Sequence, residues 1–109
     1  MAKCEYHLQG SFDGWLDRLD QGILGGSLSA SFEDGSQYCI GDVRVAVRVY
    51  ERYSMLGNNR VSLNLTLCGT QDDLYLTAIT SGGSQAMLFK LNTFGEEAFL
   101  DCVRGIVDR

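Results

Sequence analysis

Hydrophobic and polar positions alternate with two distinct periods along this chain. Over residues 3–9, Cys4, Tyr6 and Leu8 take one parity, and Lys3, Glu5, His7 and Gln9 take the other. Period two predicts a strand with one buried face, ended by Gly10. Ser11 then stands where a helix N-cap is needed. Phe12, Trp15, Leu16, Leu19 and Ile23 recur at helical spacing, with Asp13, Asp17, Arg18 and Asp20 on the opposite side. This predicts a helix over 12–24, with Asp13 suited to the positive end of its dipole. Gly25-Gly26 end it, one of the two in the left-handed region.

Period two returns and persists. Leu28, Ala30 and Phe32 alternate with serines, predicting a strand closed by a hairpin turn at Asp34-Gly35. A long strand over about 37–54 follows. Its apolar phase slips at Gly41-Asp42, from Tyr38 and Ile40 to Val43, Val45, Val47 and Val49, and a slip at glycine predicts a β-bulge. Residues 55–59 form a turn. Val61, Leu63, Leu65 and Leu67 alternate with Ser62, Asn64, Thr66 and Cys68, the cleanest strand in the chain. Residues 74–80 give another strand, apolar on both faces. Ser81-Gly82-Gly83-Ser84 reads as a hairpin turn, and 86–91 as a last strand. Thr93 and Glu96 match a capping box, and Phe99, Leu100, Val103, Ile106 and Val107 give a second helix its apolar stripe.

The order is strand, helix, four or five antiparallel strands, helix. This is an α+β fold: a curved antiparallel sheet of five or six strands, its apolar face covered by two helices, in a single domain over 1–109. The order resembles the helix-grip architecture of TATA-binding-protein-like and plant-allergen-like folds, a likeness of fold that carries no function. Three segments carry a closer resemblance. They are Gly41-Asp42-Val43-Arg44-Val45-Ala46-Val47-Arg48-Val49-Tyr50-Glu51-Arg52-Tyr53, Ile79-Thr80-Ser81-Gly82-Gly83-Ser84-Gln85-Ala86, and Asn92-Thr93-Phe94-Gly95-Glu96-Glu97-Ala98-Phe99-Leu100. They resemble a family of small bacterial proteins recorded as a domain of unknown function, over essentially the whole chain. The resemblance implies a bacterial, cytoplasmic, stand-alone domain and assigns no functional residue.

Composition narrows the function classes. The net charge of −5 argues against sequence-blind nucleic-acid binding, which relies on phosphate neutralisation, and against a hold on anionic lipid. No apolar run reaches membrane-spanning length, and the N-terminus lacks the apolar core of a signal peptide. A cytoplasmic location is expected, with Cys4, Cys39, Cys68 and Cys102 reduced. The cysteines are widely spaced and there is one histidine, so no metal site and no cofactor are expected.

The strand over 43–53 carries the candidate site. With its valines turned to the core, Arg44, Arg48, Tyr50 and Arg52 share the outer face with Asn64, Ser62 and Thr66 of the next strand and with Ser27, Ser29 and Ser31. A planar guanidinium suits carboxylate or phosphate. Such a face is either a solvated surface whose arginines pair with Glu33, Asp42 or Glu51, a site for an anionic ligand, or an interface. The expected function is a non-catalytic binding or interaction domain. It takes a small anionic or apolar molecule between sheet and helices, or forms a homodimer through the sheet face or an edge strand. The alternative is a small homo-oligomeric enzyme using His7 with a cysteine, or the arginine face.

Overall fold

A computed structural model describes residues 1–54, 59–82 and 89–109. Its elements are β1 (Ala2–Gln9), α1 (Phe12–Gly25), β2 (Ser31–Ile40), β3 (Val43–Ser54), β4 (Asn59–Gly69), β5 (Asp73–Gly82) and α2 (Phe89–Val107). The five strands form one antiparallel sheet in the order β1-β5-β4-β3-β2, which is the α+β class expected. β2 to β5 run as a meander, and β1 pairs with β5 at one edge. The chain therefore crosses the sheet through α1 to start β2 at the opposite edge.

Both helices lie on the same face. α2 packs over β5, β1 and β4, and α1 packs on α2 and β4, while neither makes a substantial contact with β2. Leu63, Leu65 and Leu67 of β4, Leu74, Leu76 and Ala78 of β5, and Leu8 of β1 point into this layer. They meet Phe12, Leu16, Leu19 and Ile23 of α1 and Phe99, Leu100, Val103 and Ile106 of α2 in one continuous core. Each leucine so buried stabilises the fold by roughly 2 kcal/mol.

The local signals at α1 behave as expected at its start. The Gly14 N–H donates to Ser11 Oγ at 3.1 Å, satisfying one of the free donors of the first turn. At its end Gly26 is right-handed (φ −82°) and donates to the Ile23 carbonyl; the left-handed glycine expected there does not occur.

The β2–β3 hairpin departs further from expectation. Its turn is Gly41-Asp42, flanked by the paired Ile40 and Val43, and the irregularity lies between Phe32 and Asp34. The Asp34-Gly35 turn signal is overridden by a ladder running from Ser31 to Ile40 on one strand and Val43 to Glu51 on the other. Gly41 has φ +57°, the left-handed geometry that a two-residue hairpin needs and that glycine adopts without strain. Residues 27–30 precede the sheet.

The C-terminal expectation also changes. Phe89–Leu91 are already helical, so the expected sixth strand over 86–91 is not formed at those residues; Ser81 and Gly82 of the expected 81–84 turn still belong to β5, and 83–88 lie outside the described residues, as do 55–58. Thr93 and Glu96 fall inside α2 and not at its N-terminus, where a capping box would stand. Glu96 is instead a buried clamp: its carboxylate accepts from the Gly82 N–H at 2.8 Å and from the Met1 amino group at 2.6 Å. Its backbone carbonyl accepts from the Thr80 hydroxyl at 3.0 Å. This ties α2 to the end of β5. Among the described residues no helix is long and apolar enough to cross a membrane.

Candidate functional site: the uncovered face of the sheet

The two faces of β3 are the reverse of the expectation. Tyr50 pairs with Leu63 and Ala46 with Leu67. Directly paired residues point to the same side, and both leucines are fully buried under the helices. Arg44, Ala46, Arg48, Tyr50 and Arg52 therefore face the helix layer. Val43, Val45, Val47 and Val49 face the other way, level with Cys68, Thr66 and Asn64.

The expected set thus separates. Arg44, Arg48, Tyr50 and Arg52 are together but inside, whereas Asn64 is on the open face. Ser62 and Thr66 share that face with the valines and not with the arginines.

Each inward arginine lies over an aromatic ring and meets a polar group of a helix. Arg44 donates two hydrogen bonds to the Asp13 carboxylate, at 2.8 and 3.0 Å, with its guanidinium 4.3 Å from the Phe12 ring centre. This contact holds the Asp13 carboxyl below the usual carboxylate range. Arg48 lies 3.6 Å from Asp20 and 5.5 Å from the Phe32 ring. Arg52 stacks 4.6 Å from Phe99 and donates to Cys102 Sγ at 3.5 Å. Tyr50 donates to Asp20 at 2.6 Å, and burial followed by that hydrogen bond pushes its hydroxyl well above the ordinary tyrosine value. The arginine row is a seam that docks the helices onto β3. Its partners are the helix acids Asp13 and Asp20, and not the strand acids Glu33, Asp42 or Glu51. Glu51 pairs across strands with Arg60 instead, at 2.8 Å on the open face.

What the sheet leaves uncovered includes a largely apolar row. One row crosses all five strands on the open face: His7, Tyr75, Cys68, Val45 and Tyr38, joined by successive register pairs. The row on one side holds Glu5, Thr77, Thr66, Val47 and Ser36. On the other side lie Val43 and Ile40. Ile40 is 69% exposed, Tyr75 59% and Tyr38 49%, and the four valines are half-buried only by their neighbours. Lys3, Glu5 and Asp73 sit towards the β1 edge, and Asp34, Glu51 and Arg60 at the far end. The apolar side chains of this face are therefore the exposed Tyr38, Ile40 and Tyr75 and the half-buried β3 valines, with the charged residues around them.

His7 stands at the margin of this face, stacked on Tyr75 at 4.5 Å and paired with the Asp73 carboxylate. Cys4 projects from the opposite face of β1, where burial raises its thiol pKa. Cys68 is two strands away from His7, roughly 10 Å by strand spacing, with Tyr75 between them. Among the described residues no group of three or more histidine, cysteine or acidic side chains is arranged to hold a metal.

Concavities lie at the margins of the sheet. An open cleft of about 840 Å³ at one end is lined by Asp13, Asp42, Asp72 and the paired Arg44. A hollow of about 210 Å³ lies between Phe32, Gln37 and Arg48 beside β2.

The residues that sequence reasoning missed are Val43, Val45, Val47, Tyr38, Ile40 and Tyr75. Strict alternation fixed that the valines share a face but could not say which face the helices cover. Comparison with curated proteins gives no match. The family described as "Family of unknown function (DUF6054)" matches residues 1–109, and the chain belongs to that family.

Proposed function

We propose that this chain is a non-catalytic interaction domain whose working surface is the open face of the sheet, and that it meets an uncharged, apolar protein surface there. The observation that carries this reading is the row of β3 valines, with Tyr38, Ile40 and Tyr75, turned away from the helices. β-Branched and aromatic side chains on the solvent side of a sheet cost solubility and add nothing to the core. Their presence is accounted for by a surface that covers them. The arginines, by contrast, are engaged with α1 and α2 and serve the fold. The proposal sets the domain in the cytoplasm, where four unpaired thiols stay reduced.

Two native thiols provide the test. Cys68 lies on the open face, and Cys39, which pairs with Arg44, lies on the other face of the exposed edge strand. In cells making the protein, maleimide labelling of Cys68 is expected to slow several-fold relative to Cys39, compared with dilute purified protein. Val45→Lys is expected to abolish that difference. Equal Cys68:Cys39 labelling ratios in cells and in dilute solution would overturn the proposal.

A further inference from the structure

We infer that the surface covering this face is the same face of a second copy, so that two sheets pack into a sandwich. The inference rests on the interaction reading above and names its partner.

Three features point to self-pairing. The first is charge. The central part of the face, from Ile40 and Val43 through Tyr38, Val45, Cys68 and Tyr75 to Val47, Thr66 and Thr77, contains no Asp, Glu, Lys or Arg. Laying it on itself desolvates no like charges, whereas a charged partner surface would bury ions with nothing to pair them. The charged residues are at its rim, where an interface tolerates them.

The second is area. Five strands about 4.8 Å apart, each contributing about ten residues at about 3.3 Å, present a whole face of roughly 700–800 Å² per copy, uncharged centre and charged rim together. Two copies would bury about 1,500 Å², the standard size for a stable specific complex.

The third is shape. Sheets of the same right-handed twist pack aligned, about 10 Å apart, with side chains interdigitating. A second copy brings that twist, together with a ridge of four valines flanked by the smaller Thr66, Cys68 and Ser36. A two-fold relation places each copy's ridge against the other's, which is the isologous arrangement of most homodimers.

The experiment is sedimentation velocity of the full chain over 1–200 μM. The wild type is expected to move from monomer to dimer within that range. Val45→Lys with Val47→Lys is expected to weaken the dimer by at least ~100-fold, because each buried lysine would lack a counter-charge. Both positions point away from the core, and unchanged thermal unfolding of the monomer confirms that the variant folds. Gln21→Lys on the exposed side of α1 is the matched control and should dimerise as the wild type does. A wild type that stays monomeric at 200 μM overturns the inference. So does a dimer that survives the paired valine substitution, since its interface would then lie elsewhere, at the β2 edge for example. Cys68 protected in cells but a purified monomer would remove the second copy as partner while leaving the interaction reading standing.

Discussion

Tyr50 carries its hydroxyl into the layer between sheet and helices and donates to Asp20 at 2.6 Å. A hydrogen bond from a buried group to a carboxylate contributes more than a neutral one, about 1.5–3 kcal/mol. Tyr50→Phe should therefore lower stability at pH 8 by about that amount. The same contact has a pH signature. Burial and Asp20 raise the Tyr50 pKa in the folded state, whereas the unfolded chain ionises near pH 10. The unfolded state then binds fewer protons than the folded state as pH climbs past 10, so stability falls with rising pH. It is fully present below the unfolded pKa and is lost as pH rises towards the raised folded value. Tyr50→Phe removes this contribution to the slope. Urea denaturation at pH 8, 10 and 11 should show the gap between wild type and variant narrowing as pH rises. A constant gap would mean that the Tyr50 hydroxyl is not held protonated by the fold.

The helices meet at the level of the element. A Cβ built on Gly22 would stand 2.5 Å from Ile106 Cδ1 and 2.6 Å from its Cγ1, and Ile106 is itself buried. Glycine at mid-helix costs about 1 kcal/mol of helix propensity against alanine. Its place here follows from the approach of α2. Two effects therefore oppose each other in Gly22→Ala, and the overpacking, typically 1–3 kcal/mol, should win. We expect a net loss of about 1 kcal/mol, read by thermal unfolding. Adding Ile106→Val, which removes Cδ1, should recover part of it. Stabilisation by the single variant would show that the helices separate at little cost.

The helices and β3 differ in how far their sequences specified them. The i, i+3, i+4 stripe of α1 named its buried side outright, because one face of that helix is apolar and the other carries aspartates. The sequence of β3, alternating valine with Arg, Ala, Arg and Tyr, named two faces but ranked them wrongly. Valine burial is worth less at the margin of the helix layer than the stems of Arg44 and Arg52 lying across Phe12 and Phe99, with their heads on Asp13 and on the Cys102 thiol. Phe89–Leu91, expected in a strand, are helical for a related reason. A short apolar run is ambiguous between strand and helix, and Phe89–Leu91 are the first residues of α2.

Across the whole molecule the cover is uneven. β4 is shielded by both helices and β5 by α2 on one face, while β2 is exposed through nearly its whole length and bonded on one side only. Local opening follows burial and hydrogen bonding. In hydrogen exchange at low micromolar concentration, amides in 61–68 should be protected at least ~100-fold more than those in 34–40. Uniform protection would mean that the sheet opens only as a unit.

The sequence by itself determined the α+β class, the antiparallel meander, both helix stripes and the identity of most core residues, because local periodicity and burial are coupled within each element. It also determined that the β3 arginines form one row. Only the tertiary structure decided which face that row occupies. Strand register against β4 is a long-range pairing, and shifting it by one residue exchanges the two faces completely. That single choice turned the arginines into a seam for the helices and left the valines on the face that the helices do not cover.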